Sequence, residues 1–153
     1  MWPMSTPHMP KQFLALMGAH TMFQLAVLRV RDRARFAPPL IVANAAHAEI
    51  VAEQLAEIGV TDAIILLEPC ARKTAPAIAL AALAGDAPGN VMLVMPSDHV
   101  ITDEAAFHPA TDALVPQVQD GWLAAYGINP TGPETGYGYI QMDAEIGAGV
   151  HDV

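Results

Sequence analysis

The chain has 153 residues, of which 53% are hydrophobic, so it can bury one substantial core and we expect one domain across residues 1–153. Its net charge of −9 repels polyanions and disfavours nucleic acid as a partner. The single cysteine, Cys70, excludes an internal disulfide and indicates the cytoplasm, and no apolar run approaches the roughly 20 residues that span a membrane.

The N-terminal stretch contains Pro3, Pro7 and Pro10, which exclude a regular helix or a central strand there. Thr21 is a suitable cap for a helix that follows. Four basic residues fall within 29–35, and at the end of that helix we expect them to be solvated surface. The residues assigned to the helix are Met22, Leu25, Ala26, Leu28 and Arg29.

From residue 38 onward, short apolar runs alternate with helical patterns, which is typical of βαβ units and a parallel sheet. Strands are predicted at 40–43, 63–67 and 91–95. After the first strand, Asn44 caps a helix that ends at Gly59. Its apolar residues at helical spacing are Ile50, Val51, Leu55 and Ile58.

Further along the chain, Thr74 is expected to cap a helix that is buried, because residues 78–83 are apolar on every side. Residues 103–120 predict a helix broken by Pro109 and Pro116, since each proline removes a backbone donor. Two more strands are predicted, at 123–128 and 139–142, with a loop of turn-forming residues between them. The fold class is therefore α/β.

In an open parallel sheet, ligands bind beyond the carboxyl ends of the strands. Glu68 and Asp98 follow two of the apolar runs, and a carboxylate there is costly to bury without a partner. The alternative is that each only caps the next turn. His99 is adjacent to Asp98, but His108 has no carboxylate at ligand spacing, so a histidine-rich metal site is not expected.

Basic residues are scarce enough to limit any phosphate site. Outside residues 29–35 the chain has only Lys11, Arg72 and Lys73, and none lies beyond Lys73. A phosphate-binding site in this chain must therefore use these three side chains.

Four strings in order resemble the bacterial mannose-1-phosphate guanylyltransferases, a family of sugar-phosphate nucleotidyltransferases. The resemblance extends from Trp2 to about Ile146 and implies a Rossmann-like sheet, mostly parallel, with helices on both faces. It also implies transfer of a guanylyl group from GTP to mannose 1-phosphate, which gives GDP-mannose and pyrophosphate. The strings are PKQF from Pro10, EPCARKTAPAIALAAL from Glu68, PSDHVI from Pro96 and GINPTGPETGYGYI from Gly127.

The resemblance assigns a catalytic role to Lys11, whose point charge suits the neutralisation of phosphates as pyrophosphate leaves. Asp98 resembles the carboxylate that holds Mg²⁺ between nucleotide and sugar phosphate. Without the motifs, Lys11 would be read as an ordinary surface residue and Asp98 as a helix cap.

The same resemblance assigns nucleotide contacts to Glu68, Arg72 and Thr74, of which the forked Arg72 suits phosphate or base best. The family usually has asparagine where this chain has Lys73. The sugar-binding residues implied are Gly127, Glu134, Thr135, Gly136 and Tyr137. Without the motif, these glycines would indicate only tight turns.

Members of that family begin with a strand and a glycine-rich GGxGTRLWPLSR loop that cradles the triphosphate. This sequence begins with MWPMST, which resembles only the end of that loop, and Thr6 replaces the usual arginine. It stops at Val153, before the family's FVEKP segment and second metal-holding aspartate. We therefore expect a domain truncated at both ends, with two unpaired strand edges that favour self-association.

Three functions remain open at this point. The leading one is a nucleotidyltransferase that uses GTP, mannose 1-phosphate and Mg²⁺. The second is a non-catalytic truncated remnant or sugar-nucleotide-binding module, and the third is an α/β domain with inherited motifs and neither activity. Mg²⁺-dependent turnover would separate the first from the others.

Overall fold

The computed structural model describes residues 4–6, 8–70, 73–85, 89–147 and 149–153. The chain divides into two compact units. The first unit comprises Met1–Pro88 and Met92–Val100, and the second comprises Gly89–Val91 and Ile101–Val153. The single domain expected across residues 1–153 stays a prediction.

In the first unit, helix α1 (Met22–Leu28) begins at the predicted cap. The Thr21 hydroxyl accepts from the Gln24 N–H at 3.1 Å, and the Gln24 side chain accepts from the Thr21 N–H at 3.0 Å. This capping box satisfies two backbone donors that the first turn cannot pair internally. The predicted helix is confirmed.

The basic residues that follow α1 differ from the prediction in one respect. Arg29 is only 4% exposed, so its assignment to solvated surface was wrong. Arg33 does lie at the surface, where its Nε and Nη2 donate to the two carboxylate oxygens of Asp62 at 2.7 and 3.0 Å. The helix ends at Leu28, so the later arginines belong to the turn after it.

A parallel β-α-β unit forms the centre of the first unit. Strands β1 (Leu40–Asn44) and β2 (Ile64–Glu68) pair in parallel, with Leu40 opposite Ile64 and Asn44 opposite Glu68. Helix α2 (Ala48–Glu57) connects them. The predicted parallel arrangement and the mixed α/β class are confirmed.

The two ends of the connection to α2 follow the predicted local signals. The Asn44 side chain accepts from the Ala46 N–H at 2.9 Å, in a short 3₁₀ turn (Ala45–His47) that leads into the helix. Beyond the helix, Gly59 has φ +70°, a left-handed conformation that glycine adopts without a steric penalty.

The core of this unit gathers apolar side chains from α1, α2 and the 3₁₀ turn Lys11–Phe13. The rings of Phe13 and Phe23 meet edge to face, with centroids 5.6 Å apart. Side chains of β1 and β2 pack against this cluster from the sheet. The cluster consists of Phe13, Phe23, Val27, Val51 and Leu55.

Helix α3 (Thr74–Ala84) forms where predicted but is not buried. None of its residues is buried, and Leu83 is 86% exposed. A helix that is apolar on every side is buried only when other elements pack around it. Among the described residues, α3 packs mainly against β1. Its cap is Lys73, and Thr74 is its first residue, so Thr74 was wrongly predicted as the cap.

The strand predicted at 91–95 is not formed. A strand needs a hydrogen-bonded partner, and no described strand pairs with this segment. Three of its apolar side chains are exposed, namely Val91, Met92 and Val94. In the described part of the chain, β1 and β2 pair only with each other, so each leaves one edge open. Self-association through such edges stays a prediction.

In the second unit, helix α4 (Glu104–Gln119) is continuous, so the prediction of a broken helix was wrong. The Asp103 side chain caps it by accepting from the Ala106 N–H at 3.0 Å. Pro109 and Pro116 deprive the carbonyls four residues earlier of a donor. Those earlier residues are exposed, so water can reach their carbonyls.

The rest of the second unit contains one antiparallel pair, β3 (Glu145–Gly147) with β4 (Val150–His151). The strands predicted at 123–128 and 139–142 are not formed, and Leu123 is fully exposed. Within the described ranges, no helix combines the length and apolar character that a membrane crossing requires.

Candidate functional site

Two residues that the sequence assigned to phosphate and metal lie together in the first unit. The Lys11 Nζ is 2.6 Å from the Asp98 Oδ2, which makes a charge-assisted hydrogen bond. The side chains are 47% and 34% exposed, so both remain accessible to a ligand from solvent. The structure therefore brings together the two predicted catalytic residues, which lie far apart in the sequence.

The position of Lys11 is set by the short turn that contains it. Pro10 enters the turn in an extended conformation, and its carbonyl accepts from the Phe13 N–H at 3.0 Å. The Lys11 carbonyl accepts from the Leu14 N–H at 3.1 Å and closes the turn. The buried Phe13 ring anchors the turn in the core and leaves the lysine at the surface.

Asp98 lies in the turn that follows residues 92–96. The hydrogen bond from Lys11 lowers the pKa of this carboxyl, and the positive charges of Lys11 and of His99 act in the same direction against the effect of partial burial. The His99 Nε2 is 4.0 Å from the Asp98 Oδ1, so it adds positive charge when protonated. The Asp98 carboxyl is consequently ionised at neutral pH.

The residues predicted to bind the nucleotide lie at the carboxyl end of β2 and the start of α3. Glu68 ends β2 opposite Asn44, and Thr74 is exposed as the first residue of α3. Arg72 lies outside the described residues. Among the described residues, no hydrogen bond or ion pair joins Glu68 or Thr74 to the Lys11–Asp98 pair.

Two further residues at this end of β2 have properties that bear on any ligand there. Cys70 is exposed directly after the strand. Lys73 has φ +66° and ψ −166°, a conformation that side chains other than glycine rarely adopt.

In the second unit, the predicted sugar-binding segment surrounds an open concavity of about 740 Å³. The Glu134 N–H donates to the Tyr139 hydroxyl at 2.6 Å, and the Gly136 N–H donates to the Glu134 carboxylate at 3.1 Å. The predicted residues Glu134, Thr135 and Tyr137 line the concavity, whereas Gly136 and Gly127 do not. Its lining residues are Pro130, Thr131, Gly132, Pro133, Glu134, Thr135, Tyr137 and Tyr139.

Tyr139 also lines the concavity, although it is not among the residues named individually for sugar binding. It stands two residues after Tyr137 in the same GYGYI string, so its membership of that motif was the available signal. Its hydroxyl accepts the backbone bond that holds Glu134, which no sequence pattern specifies.

The donor set for a metal ion is small. No group of three or more histidine, cysteine, aspartate or glutamate side chains is placed to hold a metal among the described residues. Asp98 supplies one ionised, accessible carboxylate. Mg²⁺ in proteins is commonly held by one or two carboxylates together with substrate phosphates and water, so Asp98 fits this ion only when a phosphate ligand shares it.

The chain is similar to bacterial proteins of polysaccharide synthesis over almost its whole length. It is 50% identical to the xanthan biosynthesis protein XanB of Xanthomonas campestris pv. campestris over 97% of this chain and 32% of that protein. It is 45% identical to the mannose-1-phosphate guanylyltransferase of Escherichia coli K12, over 100% of this chain and 32% of that enzyme. It is also 43% identical to the alginate biosynthesis protein AlgA of Pseudomonas aeruginosa, again over 32% of that protein. The chain thus spans about a third of the length of these relatives.

Among solved structures, the chain resembles the crystal structure of mannose-6-phosphate isomerase from Helicobacter pylori. The TM-score is 0.67 and the sequence identity is 35%, over 74% of this chain and 44% of that one. Residues 1–151 match the nucleotidyl transferase family. Since that match covers nearly the whole sequence, the chain belongs to the nucleotidyl transferase family.

Proposed function

We propose that this chain provides nucleotidyl-transfer residues of a mannose-1-phosphate guanylyltransferase. The reaction joins the guanylyl group of GTP to mannose 1-phosphate and releases pyrophosphate and GDP-mannose. The observation that carries the proposal is the 2.6 Å contact between Lys11 and Asp98. The guanylyltransferase name of the Escherichia coli relative, and the xanthan and alginate roles of others, support this substrate choice.

Lys11 is the cation that neutralises phosphate. Phosphoryl-type transfers depend mainly on positioning and on compensation of the negative charge that gathers on the oxygens. A flexible ammonium group that is half exposed can turn from the Asp98 carboxylate to a phosphate without leaving its turn. Lys11 therefore stabilises the charge that develops on the departing pyrophosphate.

Asp98 is the residue that would hold Mg²⁺ in this proposal. Its carboxylate is a hard oxygen donor, and the hydrogen bond from Lys11 lowers its pKa and so favours the ionised form. The bound ion supplies charge neutralisation and orientation of phosphate oxygens. Without the ion, the Lys11 ammonium donates to the same carboxylate. The negative charge of Asp98 therefore has a positive partner with or without Mg²⁺.

Glu68, Arg72 and Thr74 are proposed to contact the nucleotide, and the concavity of the second unit is proposed to receive the mannose. Glu134 is held through its N–H by Tyr139, and its carboxylate retains acceptor sites for sugar hydroxyls beyond the bond from Gly136. We place the reaction in the cytoplasm, because a single cysteine excludes an internal disulfide.

The test is pyrophosphate release by the purified chain with GTP, mannose 1-phosphate and Mg²⁺, compared with its Asp98→Asn and Lys11→Met variants. Each substitution should lower turnover by roughly a hundredfold or more, because each removes a charge that acts on the reacting phosphates. The matched control is Asp62→Asn, which removes an ion pair with Arg33 in the same unit and should change turnover by less than about twofold.

Turnover that is unaffected by Asp98→Asn would contradict the assignment of Asp98. A folded chain that binds GDP-mannose without any turnover would instead favour the binding-module alternative. A folded chain with neither turnover nor binding would favour the α/β domain with inherited motifs only.

A further inference from the structure

We propose that Gln54 is a positioning residue for Lys11: its buried side-chain amide fixes the backbone of the turn Lys11–Phe13 and so directs the lysine toward Asp98. The inference rests on the proposed function for the use of Lys11 in phosphate binding. The contacts of Gln54 are a property of the fold, and nothing in the motifs resembling the family points to this residue.

Gln54 reaches the turn from helix α2. Its side chain is 7% exposed, and its Nε2 donates to the Phe13 carbonyl at 3.1 Å. The same turn is closed by the Leu14 N–H on the Lys11 carbonyl. The hydrogen bond from Gln54 therefore acts on the Phe13–Leu14 peptide group, whose N–H makes that closing bond.

The direction of the Gln54 amide is fixed from its other side. The Thr21 hydroxyl donates to the Gln54 Oε1 at 2.7 Å, so the amide nitrogen is the atom left to face the Phe13 carbonyl. The Gln24 Nε2 also donates to the Gln54 backbone carbonyl at 3.1 Å. Because its partners are buried, this network has little freedom to exchange with water.

The apolar core does not by itself explain a glutamine at position 54. The Phe13 ring already packs against Phe23, and Gln54 is not a member of the apolar cluster. An apolar side chain at position 54 would remove the donor to the Phe13 carbonyl and the acceptor of the Thr21 hydroxyl hydrogen. The Gln54 amide fixes the direction of the turn backbone, which ring packing alone cannot do.

The accessibility of the Lys11 amine measures this positioning. The chain contains only two lysines, so the exposed Lys73 serves as an internal reference for trace acylation with acetic anhydride. Peptide mapping by mass spectrometry then gives the ratio of Lys11 to Lys73 modification. A lysine amine that donates to a carboxylate is less available to the reagent, so release from Asp98 raises the ratio.

The variants are Gln54→Met, Gln24→Met and Asp98→Asn. Asp98→Asn gives the ratio for a released Lys11, and Gln54→Met should raise the ratio several-fold toward that value. Gln24→Met is the matched control, since Gln24 is also buried and its side chain bonds to Thr21, the Gln54 backbone and Glu57 but not to the turn. It should leave the ratio at the wild-type value although it also weakens the fold.

A wild-type ratio in folded Gln54→Met overturns the proposal, as does an equal rise in Gln24→Met. If Gln54→Met does not fold, Thr21→Val replaces it, because it keeps the amide but removes the hydroxyl that orients it. The rise should then be smaller and in the same direction, and its absence overturns the proposal. The labelling involves no nucleotide, so a chain without turnover can still support the role of Gln54.

Discussion

The Lys11 ammonium donates to the Asp98 carboxylate at 2.6 Å, from a turn anchored in the core to the turn that follows residues 92–96. The contact ties residues 92–100 to the N-terminal part of the same unit. Its strength should depend on pH, because only the ionised carboxylate pairs with the lysine.

The pH dependence has a definite sign. The pKa of Asp98 is lowered in the folded chain, so the pair contributes to the free energy of unfolding above the ordinary carboxyl pKa. That contribution is lost as pH falls through the lowered pKa. In urea denaturation at pH 7, the free energy of unfolding of the wild type should exceed that of Lys11→Met by at most about 1 kcal/mol, since solvent screens the pair. This difference in the free energy of unfolding should disappear at a pH below the lowered pKa of Asp98. A difference that persists there would contradict this account.

Truncation of Phe13 should cost far more than loss of the ion pair. Phe13→Ala removes a ring from the core and from its edge-to-face contact with Phe23, so the free energy of unfolding should fall by about 3–5 kcal/mol. Met17→Ala is the control, because Met17 is exposed and its loss should change stability by less than about 0.5 kcal/mol. Similar urea midpoints for the two variants would show that Phe13 is not in the core.

Lys73 should be destabilising where it stands. Its φ of +66° with ψ near 180° suits glycine, so Lys73→Gly should raise the free energy of unfolding by about 1 kcal/mol. Lys73→Ala removes the same ammonium group but keeps a Cβ, and should leave stability nearly unchanged. Equal thermal unfolding of the glycine and alanine variants would rule out backbone strain at this position.

Tyr139→Phe tests the loop around the concavity. The change removes the hydroxyl that accepts from the Glu134 N–H, a hydrogen bond worth about 0.5–1.5 kcal/mol. Under the proposed function, the KM for mannose 1-phosphate should therefore rise roughly twofold to tenfold. Tyr126→Phe is matched, since it removes a tyrosine hydroxyl bonded to Thr111 in the same unit. If both variants keep the wild-type KM, Tyr139 does not position the segment that lines the concavity.

The elements that were predicted correctly are those specified by local signals. Thr21 and Asn44 each have a side-chain acceptor within reach of the next backbone donors. Helix α1 begins directly after Thr21, whereas Asn44 caps the 3₁₀ turn that precedes α2. The β-α-β unit also needs only one partner strand, which follows within a short connection. Local chemistry was therefore sufficient for this part of the fold.

The segments that were predicted wrongly are those whose apolar patterns require partners. The run at 91–95 and the helix α3 are both apolar enough for burial, but a pattern does not say what covers it. Helix α4 shows the reverse case, since it stays continuous although Pro109 and Pro116 each lack the backbone N–H that would donate within the helix.

The candidate site was predicted residue by residue, but not as an arrangement. Lys11 and Asp98 were each found through a motif, whereas their direct contact depends on how two distant turns fold together. Gln54 carries no signal in the sequence, because a buried glutamine on a helix looks like any polar residue until its partners are known.

The exposed position of Cys70 provides a way to test which nucleotide the chain binds. As the only thiol of the chain, it accepts one maleimide fluorophore without any engineering, at the end of β2 and close in sequence to Arg72 and Thr74. Under the proposed function, a dye there should report the arrival of GTP as a change in emission. Binding of each nucleotide can then be ranked in a single titration format, independently of whether any bond is made or broken.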